Sequence, residues 1–371
     1  METKVFEGLE GVVVARTALS DVDGEAGRLV IGGYRLEAIA SRSFEWAVAL
    51  LFDGAAPTEE RVREVQRLLA EARVRAADAY APERGRTRGS VNGMDVLRAC
   101  VAQLDERATP FDLVGATAVF AARFAAAARG LEAAPPSAAR AHAEDVLSMS
   151  LGTSTSPSPD EFDARAFQAR AKALDTYLVS VIDHGLNAST FATRVVASTG
   201  SDLVSAVTAG IGALKGPLHG GAPGPVLDML DAVANEGDAA SWIERELSAG
   251  RRIMGMGHRI YRTRDPRAEV LERAIEALGR AGVATDRLSL AKEVEAIATT
   301  ILRERKADRT IAANVEFYTA VLLEAVGLDR SAFASTFAVG RCAGWCAHYA
   351  EQRRTGRLIR PSSIYVGALH V

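Results

Sequence analysis

Beyond residue 34 the apolar side chains recur almost everywhere at three- and four-residue spacing, and nothing alternates with period two. Leu174, Tyr177, Leu178, Val181 and Ile182 form one such stripe, and Leu290, Val294, Ile297, Ala298 and Ile301 form another. That period belongs to helices burying one face, so the chain reads as nearly all α and a Rossmann fold is ruled out. Strands are expected only between residues 12 and 34. There 12–17 and 27–31 flank Asp21-Val22-Asp23-Gly24, whose aspartates and glycine suit the turn of one small N-terminal hairpin.

The helices are expected over 43–53, 58–79, 93–105, 111–133 and 138–150. Others end at His184, begin near Phe191, and run through the Leu290 stripe, the segment after Asn314 and the apolar 337–349 run. The proline- and serine-rich 152–160 stretch reads as a loop. At 371 residues the chain is long enough for two domains. The glycine-rich runs at 210–224 and 250–257 are natural hinges. They divide the chain into a large domain (1–221 and 328–371) and a smaller insert (222–327).

A net charge of −3, from 44 basic and 47 acidic residues, gives no case for nucleic acid or an anionic membrane as partner. No uninterrupted apolar run approaches a membrane span, and the first residues lack a signal-peptide core, so a cytoplasmic location is expected. Cys100, Cys342 and Cys346 are too few for a disulfide framework. Cys342 and Cys346, one turn apart near His348, read as buried helix residues, and no metal site is expected.

Three segments interrupt the helical pattern with chemistry. They are Gly-Pro-Leu-His-Gly-Gly at 216–221, Gly-Met-Gly-His-Arg-Ile-Tyr at 255–261, and Asn-Val-Glu-Phe-Tyr at 314–318. The chain has only six histidines. Two of them, His219 and His258, are bracketed by glycines, and His184 stands in Asp-His-Gly-Leu-Asn. A histidine at a glycine-flanked helix end can aim its ring at a ligand, although a loop histidine bonded to local carbonyls has the same neighbours. The Gly-x-Gly amides before His258 suit a phosphate or an adenine edge, and Arg262, Arg264 and Arg267 follow. Glu316 opens an apolar helix, where it either complements the helix dipole or serves as a base with a raised pKa. Arg341 and Arg360 are read either as solvated surface charges, the usual case for Arg, or as the bidentate guanidinium partners that a dicarboxylate needs.

These motifs, in this order, resemble those of citrate synthases of the short dimeric bacterial and archaeal type. The matching stretches are 19–24, 183–190, 212–221, 255–267, 314–318, 340–348 and 360–365. The resemblance implies a two-domain helical fold and condensation of acetyl-CoA with oxaloacetate, followed by hydrolysis of the citryl thioester. CoA enters as co-substrate, with no tightly bound cofactor. By the same resemblance His219 holds the thioester oxygen, Glu316 removes the methyl proton and His258 polarises the ketone. His184, Arg267 and Arg341 hold oxaloacetate, and Arg360 reaches across from the partner of a homodimer. Gly255, Met256 and Gly257, with Arg259 and Arg262, are implied as coenzyme A contacts.

Two departures stand out. Glu316 occupies a position usually held by Asp, and a displacement of about 1 Å in a catalytic group can cost ~100-fold. The stretch after Gly221 is Ala-Pro-Gly-Pro, where many relatives continue Ala-Asn-Glu. A 2-methylcitrate synthase using propionyl-CoA and a non-catalytic paralogue binding CoA or a dicarboxylate are the competing readings. A metal-dependent hydrolase is disfavoured by the lack of a His-x-x-x-His spacing.

Overall fold

A computed structural model describes residues 5–9, 11–79, 92–152, 164–220, 223–258, 260–305 and 311–368. The 152–160 loop falls almost wholly outside them, as do Gly221, Ala222, Arg259 and the 369–371 terminus.

The sheet is small and lies where strands were expected, but with different bounds. Strands β1 (Ser20–Asp23), β2 (Arg28–Ile31) and β3 (Tyr34–Arg35) form an antiparallel sheet in that order. Residues 12–17 are not a strand, and Asp21–Asp23 belong to β1 rather than to the turn. The turn lies one step later. Asp23 Oδ1 accepts the Ala26 N–H at 3.0 Å and Gly27 supplies φ +60°, which fixes Asp23 opposite Arg28.

Among the described residues the other regular structure is helical, apart from short 3-10 turns and isolated bridges such as Met256–Ala313. Short α1 (Leu36–Ile39) precedes α2 (Phe44–Asp53), α3 (Glu59–Ala79), α4 (Gly93–Val101), α5 (Pro110–Ala128) and α6 (His142–Leu151). Then come α7 (Ala164–Val181), α8 (Ala188–Ser198), α9 (Leu203–Leu214), α10 (Pro223–Glu236) and α11 (Ala239–Ser248). The last are α12 (Pro266–Arg280), α13 (Asp286–Arg305), α14 (Val315–Ala325) and α15 (Phe333–Thr355).

Local chemistry explains the boundaries. Ser43 caps α2 through the Trp46 N–H, and Gly54 at φ +72° ends it. Thr109 and Asp112 form a reciprocal capping box at α5 with Pro110 at its first position. The helix expected over 93–105 ends at Val101, so that Asp105 and Arg107 can form the short turn that leads into that cap. The helix expected over 111–133 stops at Ala128, ahead of Gly130 at φ +72°.

Helices α5 and α15 form the middle of the core. α5 is long and apolar enough to cross a membrane by length and composition, but it packs against α3, α4, α6 and α15, and its apolar window is 67% buried. α15 lies against α2, α5, α7, α8 and α9, and Cys342, Trp345 and Cys346 are buried within it, as expected of a core helix. α10, α11, α13 and α14 pack on one another, while α12 and α14 also contact α7. The residues 182–187 between α7 and α8 therefore lie close to the starts of α12 and α14.

Candidate active site

A cavity of about 830 Å³ opens where these elements meet. Its lining includes His184, His219, His258, Arg267, Glu316 and Arg341, which lie far apart in the chain.

His219 lies just beyond the end of α9. The backbone N–H of Ser189, in the first turn of α8, donates to its Nε2 at 3.4 Å, and the Ser189 hydroxyl lies 2.9 Å from the same atom. A backbone amide can only donate, so Nε2 is the acceptor and the ring proton sits on Nδ1. Ser189 is held in turn by Trp345 Nε1 at 3.1 Å and by Asn187, which caps α8.

His258 has the opposite tautomer. Its Nδ1 accepts the N–H groups of Ile260 and Tyr261, both at 3.0 Å, so its proton is on Nε2. Burial, reinforced by Arg341 at His219 and by Arg267 at His258, pulls both imidazoles down to about 4. They are neutral donors at ordinary pH. His184 is likewise held well below the usual histidine range by burial and by Arg267 and Arg341.

The 255–257 segment is pinned to 312–314. Gly257 N–H donates to Ala312 O at 2.8 Å, Asn314 N–H to Gly255 O at 2.9 Å, and Asn314 Nδ2 to Gly257 O at 2.8 Å. Gly255 needs its positive φ of +72°, and a Cβ there would lie 2.8 Å from the Phe317 ring. Asn314 also caps α14 through the Glu316 N–H. That places Glu316 in the first turn, facing the cavity. Burial pushes its carboxyl up to about 7, with Asp265 adding to the rise while Arg267 and Arg341 oppose it. Glu316 Oε2 has no hydrogen-bond partner among the described residues. Such a carboxyl takes up and releases a proton near neutrality, which suits a general base.

Two buried arginines supply positive charge. Arg267 pairs with Asp265, the cap of α12, through Nε at 3.0 Å and Nη2 at 2.6 Å. This bidentate contact leaves Nη1 and one Nη2 proton for another acceptor. Arg341 donates Nε–H to Val181 O at 2.6 Å and lies over Phe337, its Cζ 4.8 Å from the ring centroid. Its Nη1 is buried with no partner among the described residues, and burial pulls its pKa down to about 10. Orphaned polar atoms on Arg341 and Glu316, facing one cavity, are what an incoming polar ligand would satisfy.

The other sequence-derived candidates are placed differently. Gly257 lines this cavity, whereas Met256 packs partly on the core. Arg262 points away, with its N–H on Gly24 O at 2.9 Å and its side chain 3.9 Å from Glu25. Arg360 is exposed and lines an adjoining cavity of about 630 Å³. Arg259 lies outside the described residues. Asp265, Asn314, Ser189, Trp345 and Tyr261 were not singled out beforehand as site residues. For Asp265 the signal was present, since Asp-Pro-Arg is a helix start with Pro at the first position.

A helical fold whose cleft holds neutral imidazoles, a near-neutral carboxyl and paired guanidiniums offers the groups that carbon-acid chemistry on an anionic substrate would need. Comparison with known proteins narrows that reading. The family described as "Citrate synthase, C-terminal domain" matches residues 8–362, and the chain belongs to this family.

A Mycobacterium tuberculosis protein named "Putative citrate synthase 2" is 51% identical over 196 residues, 53% of this chain and 51% of that protein. The chain thus spans about half the length of that relative. The citrate synthase of Haloferax volcanii is 36% identical across 99% of this chain and 97% of its own. A 2-methylcitrate synthase of Mycobacterium tuberculosis is 33% identical across 98% and 91%. The solved citrate synthase of Thermotoga maritima superposes with a TM-score of 0.82 at 31% identity, covering 99% of this chain and 97% of its own. The Thermoplasma acidophilum enzyme, solved with carboxymethyl coenzyme A and oxaloacetate, gives 0.83 at 25% identity over 99% and 97%.

Proposed function

We propose that this chain joins the methyl carbon of acetyl-CoA to the ketone of oxaloacetate and hydrolyses the resulting citryl thioester to citrate and CoA. The observation that carries the reading is the set of complementary proton states around one cavity. Glu316 is poised near neutrality to take a proton, while His219 and His258 are neutral and their protons are assigned by fixed backbone donors.

A thioester α-proton is only weakly acidic, so its removal needs a base and a preplaced donor for the enolate oxygen. Glu316 takes the methyl proton, and the Nδ1–H of His219 donates to the thioester oxygen. The Nε2–H of His258 donates to the ketone oxygen, which becomes the hydroxyl as the carbon–carbon bond forms. Arg267 and Arg341, with His184, receive the oxaloacetate carboxylates. Two cations beside a buried dianion offset its desolvation, and fixing the two carbon centres can be worth on the order of 7–11 kcal/mol. Coenzyme A would lie along Gly255–Gly257. The unit 222–327 would close on its glycine hinges to keep water out until the thioester has formed.

A homodimer is part of the proposal. Arg360 lines an adjoining cavity rather than this one, and in this reading it serves the site of a second copy. The test of the function is thiol release with oxaloacetate, comparing acetyl-CoA with propionyl-CoA. Preference for acetyl-CoA supports the proposal. Preference for propionyl-CoA moves it to 2-methylcitrate synthesis, the reading that the full-length mycobacterial relative favours. Ligand binding with no release from either donor would make the chain a non-catalytic paralogue.

A further inference from the structure

Tyr261 is buried between the histidines and takes no proton in the proposed reaction, yet it touches two of them. Its backbone N–H donates to His258 Nδ1 at 3.0 Å, and its hydroxyl lies 3.1 Å from His184 Nε2. The three rings form a closed triangle. Tyr261 and His258 centroids are 4.7 Å apart, Tyr261 and His184 5.6 Å, and the two imidazoles 5.8 Å. A shift of Tyr261 therefore moves the donor for one end of a ligand and a contact for the other together.

The loop carrying Tyr261 is gripped from outside by the β1–β2 turn. Arg262 N–H donates to Gly24 O at 2.9 Å, and a Cβ on Gly24 would lie 2.2 Å from Ile260 O. The φ of Gly24 is not positive, so close approach alone excludes a side chain there.

We propose that Tyr261, held by the Gly24 turn, is a positioning residue that locks His184 and His258 into one rigid ligand-binding unit. This rests on the reading of the cavity as an oxaloacetate site. Neutral His184 has one lone pair and one N–H, and the Tyr261 hydroxyl, able to donate or accept, pairs its Nε2 in either tautomer and so holds the ring in place. Without the hydroxyl a buried imidazole nitrogen is left unpaired, and oxaloacetate binding should weaken by roughly 5- to 30-fold. The ring of Phe keeps the packing, so the fold should survive.

The experiment compares wild type, Tyr261→Phe, Gly24→Ala and the control Tyr34→Phe, whose exposed ring lies on β3 and does not line the cavity. Oxaloacetate affinity by calorimetry, steady-state thiol release, thermal midpoint and imidazole nitrogen NMR of labelled histidine are read on each. The expected result for Tyr261→Phe is weaker oxaloacetate binding, a KM for oxaloacetate raised more than kcat is lowered, a moved His184 nitrogen signal and a near-wild-type midpoint. Gly24→Ala should weaken binding likewise and shift the His258 signals, while Tyr34→Phe behaves as wild type. Unchanged affinity and unchanged histidine signals in Tyr261→Phe overturn the proposal. Wild-type protein that neither binds nor turns over oxaloacetate sinks the functional reading instead, and the NMR comparison still decides whether Tyr261 holds His184 in place.

Discussion

Replacing Glu316 by Gln should abolish turnover and, at the same time, stabilise the protein in a pH-dependent way. Burial raises the Glu316 carboxyl from its ordinary 4.5 to about 7. At ~1.4 kcal/mol for each tenfold change in proton affinity, keeping it ionised in the fold costs about 3 kcal/mol. The sign follows from the two states. Below pH 4.5 the carboxyl is protonated whether folded or not, and Glu and Gln differ little. Between 4.5 and 7 the unfolded chain releases its proton while the folded one keeps it, so wild-type stability falls as pH rises. Above 7 both are ionised and the penalty is constant.

His219 and His258 act in the opposite direction in an overlapping window. They are depressed from 6.5 to about 4, so the stability they contribute is lost as pH falls. Only the difference between wild type and variant isolates Glu316, because the histidines cancel in it. Urea unfolding at fixed protein concentration, from pH 4.5 to 8.5, should show the advantage of Gln growing from near zero to about 3 kcal/mol and then levelling. Thiol release should fall by roughly 10²–10⁴-fold, the usual worth of a general base. A stability difference flat in pH would refute the buried-carboxyl argument even if turnover were lost.

Four other outcomes are expected. The kcat/KM for condensation should rise with pH through about 7, as Glu316 loses its proton, with no second limb until the histidines titrate near 4. A limb near pH 6.5 would contradict their depressed values. Arg341→Ala should raise the Kd for oxaloacetate by 10-fold or more, read by calorimetry, since it removes a buried cation whose Nη1 has no partner among the described residues. Gly255→Ala forces both a positive φ and a contact 2.8 Å from the Phe317 ring, and should destabilise by roughly 1–3 kcal/mol with loss of activity, read by thermal melting and thiol release. Arg194→Ala leaves Glu351 and His348 without their shared cation at 2.6 and 2.9 Å, and should cost roughly 3–5 kcal/mol by urea titration.

Much of the architecture was legible in local patterns. Caps at Ser43, Thr109 and Asn187 and the stop at Gly54 follow from side chains that satisfy, or backbones that end, a helix terminus within a few residues. The β1 boundary was misjudged for the same reason in reverse. The valines of 12–14 have the composition of a strand, but pairing is decided by the turn, and Asp23 and Gly27 set that turn later.

The site divides along the same line. By itself the sequence determined that helices form, that glycine breaks them around His219 and His258, and that Glu316 opens a helix behind an Asn cap. Each of these is an interaction between near neighbours. Only the tertiary structure decided that α8, α12, α14 and α15 converge on one cavity. It also decided that Ser189 and Tyr261 assign the protons of histidines to which no local pattern ties them. Burial there, and not the residue type, turns a Glu into a base near neutrality and keeps the imidazoles uncharged. Desolvation depends on everything packed around a group, and that sum exists only once the chain has folded.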